Sequence, residues 1–102
     1  MPNTTKEKIV VDMPVFMETN NNTYNLILHN DDYTPMEYVI LALCTVFEKD
    51  EQSSAQLMLH AHQNGSAVIC TVDYNAGKTK LEALEMLNFL MGFDLQVTME
   101  QN

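Results

Sequence analysis

The chain reads as an α+β domain in the order βααβαβ, with three helices packed on one face of a small three-stranded antiparallel sheet. Three observations lead there. Short stretches alternate apolar and polar residues with the period of a strand, longer ones repeat apolar residues every three or four positions as an amphipathic helix does, and Gly, Asn or Pro punctuates the joins. At 102 residues, 46% of them apolar, the chain suits one domain around one small core. No internal repeat appears, and periodicity alone leaves the strand order open.

Residues 1–23 read as an N-terminal arm ahead of a core domain at 24–102. The arm holds the apolar patch Ile9 to Met17, interrupted by Pro14, and ends in Asn20, Asn21, Asn22 and Thr23, a polar run without periodicity. The patch suits either a segment packed on the core or a contact for a partner. Tyr24 to His29 alternates Tyr24, Leu26 and Leu28 with Asn25, Ile27 and His29, a first strand. It leads into NDDYTPMEY, Asn30 to Tyr38, where Thr34 as N-cap, Pro35 at the first helical position and Glu37 three residues past the cap predict a capping box. Tyr33 and Tyr38 stand where a hydrophobic staple would form. The first helix is expected from Pro35 to Phe47, with Met36, Val39, Ile40, Leu43 and Phe47 as its buried stripe.

After a break at Glu48 to Glu51, Ser53 and Gln56 predict a second capping box. Asn64 and Gly65 supply a left-handed stop, leaving a helix of about three turns between them. Ala67 to Val72, rich in β-branched residues, is the second strand. A third helix is expected from about Ala76 to Met91, capped by Asn75, closed by Gly92, and buried along Leu81, Leu84, Leu87 or Asn88, Leu90 and Met91. Leu95, Val97 and Met99 then alternate with Gln96, Thr98 and Glu100 as the final strand.

Charge and composition remove several functions. Fourteen acidic residues against five lysines and no arginine give a net charge of −9, which repels phosphate backbones and favours a cationic ligand or basic partner over nucleic acid. No apolar run is long enough to span a membrane and no signal-peptide pattern is present, so a cytoplasmic protein is expected. Cys44 and Cys70 lie within apolar periodic segments and read as small buried hydrophobes kept reduced. His29, His60, His62, Asp31 and Asp32 lack the spacing of a metal site. His60 and His62, two apart on a helix, point about 200° away from each other. Neither a nucleophile nor a Gly-rich oxyanion turn accompanies the carboxylates, and Gly65, Gly77 and Gly92 are all accounted for as helix punctuation. No enzyme activity, metal or cofactor is expected.

Two stretches remain with more polar or paired character than a plain scaffold requires. In Asn30 to Asp32 three polar side chains sit between a strand and a fixed helix start. On the second helix Met58, Ala61 and His62 share one face. Residue by residue, Met58 and Ala61 fit core positions and His62 a boundary histidine, so the pattern alone leaves ligand binding open.

The same stretches carry a resemblance. NDDYTPMEYV, Asn30 to Val39, and LMLHAH, Leu57 to His62, resemble the two signature motifs of ClpS, the bacterial adaptor that hands proteins with destabilising N-termini to a Clp protease, and the similarity runs without gaps from about Tyr24 onward. It implies a cavity that accepts the first side chain of a substrate while its free α-amino group is held at the rim. Carried over by motif position, the amine ligands are Asn30, Asp32 and His62, with Asp31 supporting the turn. The walls are Leu28, Thr34, Met36, Val39, Met58, Ala61 and Leu95, and Met36 matches the residue that narrows the family's pocket against β-branched side chains. The implied partners are N-degron proteins beginning with Leu, Phe, Tyr or Trp and a Clp AAA+ unfoldase of the ClpA or ClpC type, with the adaptor acting as a monomer.

Two positions depart from the family pattern. Ala61 replaces a larger aliphatic residue, and VDYNAGKTK, Val72 to Lys80, keeps Thr79 and Lys80 of the unfoldase-docking stretch while losing its Glu. The alternative is a protein-bridging module of the same fold without an amine pocket, since topology does not dictate function.

Overall fold

The computed structural model describes residues 22–102. The elements are β1 (Tyr24–His29), α1 (Met36–Thr45), α2 (Glu51–Asn64), β2 (Ser66–Val72), α3 (Tyr74–Met91) and β3 (Val97–Gln101), in the expected βααβαβ order. The sheet is antiparallel throughout with strand order β2-β1-β3, so the first strand is central and the domain closes around it. The arm at 1–23 falls almost wholly outside the described residues.

One face of the sheet carries the helices. Leu26 and Leu28 of β1 are fully buried there, with Met99 and Val97 of β3 opposite them. The register against β2 shifts between Leu26 and Ile27, which leaves Ile69 as an extra residue and changes the phase of β2. Ala67 and the bulge residue Ile69 face the core, while Cys70 and Val72 pack against it beyond the bulge. From the helices Tyr38, Val39, Ala42, Leu43, Ala61 and Leu84 complete the core, joined by Phe47 and Leu95 from the connections. The other face is mostly polar, apart from the paired Ile27 and Val68, and carries side-chain hydrogen bonds across the strands. Thr71 donates to Asn25 Oδ1 at 2.7 Å, and His29 Nε2 lies 2.7 Å from Thr98 Oγ1.

The helix starts differ from expectation in one consistent way. Neither capping box forms, and α1 has no side-chain cap at its Pro35 N-cap. Asp50 caps α2 by accepting from Ser53 N at 2.7 Å, and Asp73 caps α3 by accepting from Ala76 N at 2.8 Å. A carboxylate is as good a cap as Ser, Thr or Asn and also faces the positive end of the helix, so the earlier Asp takes the position. Hydrogen bonds from Ser53 hold the Asp50 carboxyl below its usual range. The Tyr33 to Tyr38 staple is absent, because Tyr33 is 93% exposed while Tyr38 is buried against Phe93 with ring centroids 4.6 Å apart.

Burial corrects other expectations. Met36 is 63% exposed, Leu90 69% and Met91 48%, so these lie off the buried stripes of their helices. α1 ends at Thr45, and the Lys80 ammonium donates to the Val46 carbonyl at 3.3 Å, where the negative end of α1 attracts it. Cys44 and Cys70 are free thiols and only half buried. Burial pushes the Cys70 thiol up in pKa despite the nearby Lys49 and Lys80. Ser54, the one fully buried polar residue among those described, lies 3.5 Å from Cys44 Sγ.

Gly65 and Gly92 end their helices in left-handed conformation at φ +91° and +79°, as their sequence positions suggest. Gly77 does not punctuate a helix. It is buried inside α3, where a Cβ would lie 2.5 Å from Met99 Sδ and 3.3 Å from Val72 Cγ2, so its lack of a side chain lets α3 lie directly on the sheet.

Candidate functional site

β1 brings the chain to His29, and there two tertiary hydrogen bonds fix where the next residues go. His29 N donates to Gln96 O and Asn30 N donates to Gly65 O, each at 3.0 Å. The loop is therefore pinned both to the approach to β3 and to the left-handed end of α2. Asp31 then builds the turn: its Oδ1 accepts from Tyr33 N at 2.8 Å and Thr34 N at 2.6 Å, and its Oδ2 accepts from the Thr34 hydroxyl at 2.8 Å. Partial burial is the largest single influence on this carboxyl and acts to raise its pKa, but the three hydrogen bonds together hold it below the usual value. Asp31 is thus committed to the fold of the loop. Asp32 follows it on the turn and is exposed at the surface.

Pro35 and the first turn of α1 carry Met36 and Val39 to one side of this loop. On the other side α2 presents Met58, Ala61 and His62, one turn apart on a single face. Between them lies a cavity of about 300 Å³. Leu28, Thr34, Met36, Val39, Met58, Ala61 and Leu95 line it together with Asn30, Asp31, Asp32 and His62, so every residue carried over by the motif match reaches the same cavity. Leu28, Ala61 and Leu95 are almost fully buried and form its floor, while Asn30, Asp32, Met36 and His62 are exposed at its edge.

His29 and Leu59 also line the cavity, although sequence spacing places neither there. The His29 side chain keeps to the face opposite Leu28, beside Thr98, as strand alternation has it, and helical spacing turns Leu59 away from Met58, so the sequence pattern points to neither. Leu59, 52% exposed, is an apolar residue outside the core stripe of its helix, and that is the signal by which it could have been found. His60 belongs to a separate shallow groove between α2 and β2, and its Nδ1 lies 3.3 Å from Asn64 Nδ2. Among the described residues no group of three His, Cys, Asp or Glu side chains could hold a metal ion, and no helix is long and apolar enough to cross a membrane. Thr79 is exposed on α3, whereas its neighbour Lys80 turns inward to the end of α1 and lies 3.9 Å from Glu48.

The arrangement combines an apolar floor with polar side chains, a carboxylate, an amide and an imidazole, at the mouth. Comparison with known proteins adds a family to this geometry. The family model for the ATP-dependent Clp protease adaptor protein ClpS matches residues 19–98. The chain is 38% identical over 77 residues to the ClpS of Myxococcus xanthus, covering 76% of this chain and 72% of that protein. It is 38% identical over 78 residues to the ClpS of Maricaulis maris, with the same coverage. Among solved structures it is similar to Agrobacterium tumefaciens ClpS2 bound to L-phenylalaninamide, with a TM-score of 0.74 and 36% identity, covering 79% of this chain and 98% of that one. With the fold, the two motifs and most of the length in agreement, the chain belongs to the ClpS family of Clp protease adaptor proteins, which are adaptors and not enzymes.

Proposed function

We propose that this protein holds the free α-amino group and the bulky apolar first side chain (Leu, Phe, Tyr or Trp) of N-degron substrates, and delivers them to a Clp AAA+ unfoldase for degradation. The observation that carries this reading is that one cavity joins the apolar floor of Leu28, Val39, Met58, Ala61 and Leu95 to the polar rim of Asn30, Asp32 and His62. An α-amino group, with a pKa of about 8, is mostly protonated at neutral pH and offers three donors. A carboxylate, an amide oxygen and an imidazole nitrogen offer three acceptors. Hydrogen bonds to a charged group contribute about 1.5 to 3 kcal/mol each, and burying a Leu or Phe side chain about as much. Either half alone would bind weakly, so recognition requires a free N-terminus and a large apolar side chain together.

The ligand of the similar Agrobacterium structure supports the same chemistry. L-phenylalaninamide is a phenylalanine with a free amine and an amidated carboxyl, the groups that the first residue of a peptide presents.

The test is a titration of the protein with a labelled peptide beginning with Phe and with the same peptide N-acetylated. Acetylation removes the charge and two donors and is expected to leave only the weak binding that the apolar half supplies. Asp32→Ala and His62→Ala should each weaken binding of the free peptide by about 1 to 3 kcal/mol without unfolding the domain, because each removes an acceptor from a charged donor at an exposed position. Equal affinity for both peptides, with circular dichroism confirming the fold, would return His62 to the role of a boundary histidine and leave a bridging module in place of an amine receptor.

A further inference from the structure

We propose that Asn88 is a positioning residue for the apolar half of the pocket, acting through Leu95. The inference rests on the pocket reading above and concerns how its floor is held in place. Leu95 lies before β3, which begins at Val97, so its backbone stands outside the strand ladder. Both of its peptide groups turn instead to one side chain: Asn88 Nδ2 donates to Leu95 O at 3.0 Å, and Leu95 N donates to Asn88 Oδ1 at 3.3 Å. The same Oδ1 accepts from the Tyr38 hydroxyl at 2.6 Å.

Asn88 also works through its backbone. Its carbonyl accepts from Gly92 N at 2.8 Å and from Phe93 N at 3.0 Å, closing α3 and starting the chain back toward Leu95. One residue thereby ties the end of α3, the buried side of α1 and the Leu95 segment to each other. Leu95 is 3% exposed, and its side chain lines the cavity. An amide is the side chain that suits this place, since the segment needs a donor and an acceptor from a single group while Tyr38 needs an acceptor. A polar residue on the inward side of α3 has no packing advantage, and satisfying three part-buried backbone and hydroxyl groups explains its presence there.

A residue that places the floor and does not touch the amine should affect the side-chain contribution to binding and leave the amine contribution alone. The experiment measures affinities of the full chain for peptides beginning with Phe and with Ala, and for the acetylated Phe peptide. The variants are Asn88→Ala, Asn88→Leu, which keeps volume without the hydrogen bonds, and Tyr38→Phe, which removes one hydroxyl. For Asn88→Ala and Asn88→Leu the Phe-to-Ala affinity ratio is expected to fall about tenfold, and for Tyr38→Phe about threefold, as lost hydrogen bonds of ordinary strength predict. The ratio of free to acetylated Phe peptide should stay within about twofold, and in a Leu95→Ala background Asn88→Ala should add less than about twofold, because the two residues act as one unit.

A Phe-to-Ala ratio unchanged in folded Asn88→Leu, or an effect that simply adds to that of Leu95→Ala, overturns the assignment of Asn88. If both Asn88 variants fail to fold, Tyr38→Phe with an unchanged ratio overturns it. Wild-type protein indifferent to acetylation overturns the pocket reading instead, so the two failures are distinct.

Discussion

Met36 is the residue where burial and role separate most clearly. Its helical spacing matches a core stripe, yet it is 63% exposed and lines the mouth of the cavity. On the function proposed above, a β-branched first residue would carry its extra methyl beside the amine, where Met36 would obstruct it, while Leu branches one carbon further in. Met36→Ala is therefore expected to gain affinity for peptides beginning with Ile or Val and to lose some for Phe. Each change should be about 1 to 2 kcal/mol, at about 0.8 kcal/mol per buried methylene. Calorimetry with Leu, Ile and Phe peptides checks this, and an unaltered preference for Leu over Ile would assign Met36 to structure alone. Asp31 makes a different prediction. Its carboxyl is more acidic in the folded protein than its ordinary value of 3.8, through the hydrogen bonds from Thr34 and Tyr33 that outweigh burial. Its stabilisation is thus complete above about pH 4 and is lost as pH falls through the lower folded value. Asp31→Asn should flatten that acid limb of the pH–stability curve, measured by urea denaturation between about pH 2 and 5.

Between the elements, two glycines set distances. Gly65 ends α2 at φ +91°, with open space where a Cβ would stand, and its carbonyl receives Asn30 N at 3.0 Å. Gly65→Ala should cost about 1 to 2 kcal/mol from the left-handed conformation, and should also loosen the loop that presents Asn30. Thermal denaturation measures the first effect, and faster amide exchange at Asn30 the second. Gly77 is tight where Gly65 is open. Alanine there gains helix propensity of about 1 kcal/mol but meets Met99 and Val72, an overpacking that costs about 1 to 3 kcal/mol. A net destabilisation of about 1 kcal/mol is expected, and a Gly77→Ala protein more stable than the parent would show that α3 can lift from the sheet at no cost.

For the whole molecule, the sheet divides the labour. Its helix-covered face holds the core and, at one end of β1, the cavity, while its other face is mostly polar. The net charge of −9 favours a cationic ammonium at the rim over an anionic ligand. We propose that delivery to the unfoldase is a separate task that falls to residues 1–23, whose sequence ends in the Asn-rich run Asn20 to Asn22. Deleting residues 1–23 is expected to leave peptide affinity nearly unchanged and to impair degradation of a Phe-tagged substrate in a reconstituted Clp assay. Full degradation by the truncated adaptor would remove the arm from the mechanism.

Local chemistry sufficed for the element order, for the left-handed stops at Gly65 and Gly92, and, through two motifs, for a set of residues that reach one cavity. Such signals act within a few residues, and this is also where they fell short. Thr34, Ser53 and Asn75 were as eligible to start helices as Asp31, Asp50 and Asp73 were to hold those starts, and local preference could not choose among them. The strand order β2-β1-β3, the bulge opposite Ile27 and the buried place of Gly77 depend on residues far apart in sequence packing at one distance from the sheet. Leu95 illustrates the same limit at the site. Alternation made it the first residue of a strand, but hydrogen bonds to Asn88, which the chain brings close only when α3 has docked, take it off the ladder and set it in the floor of the cavity.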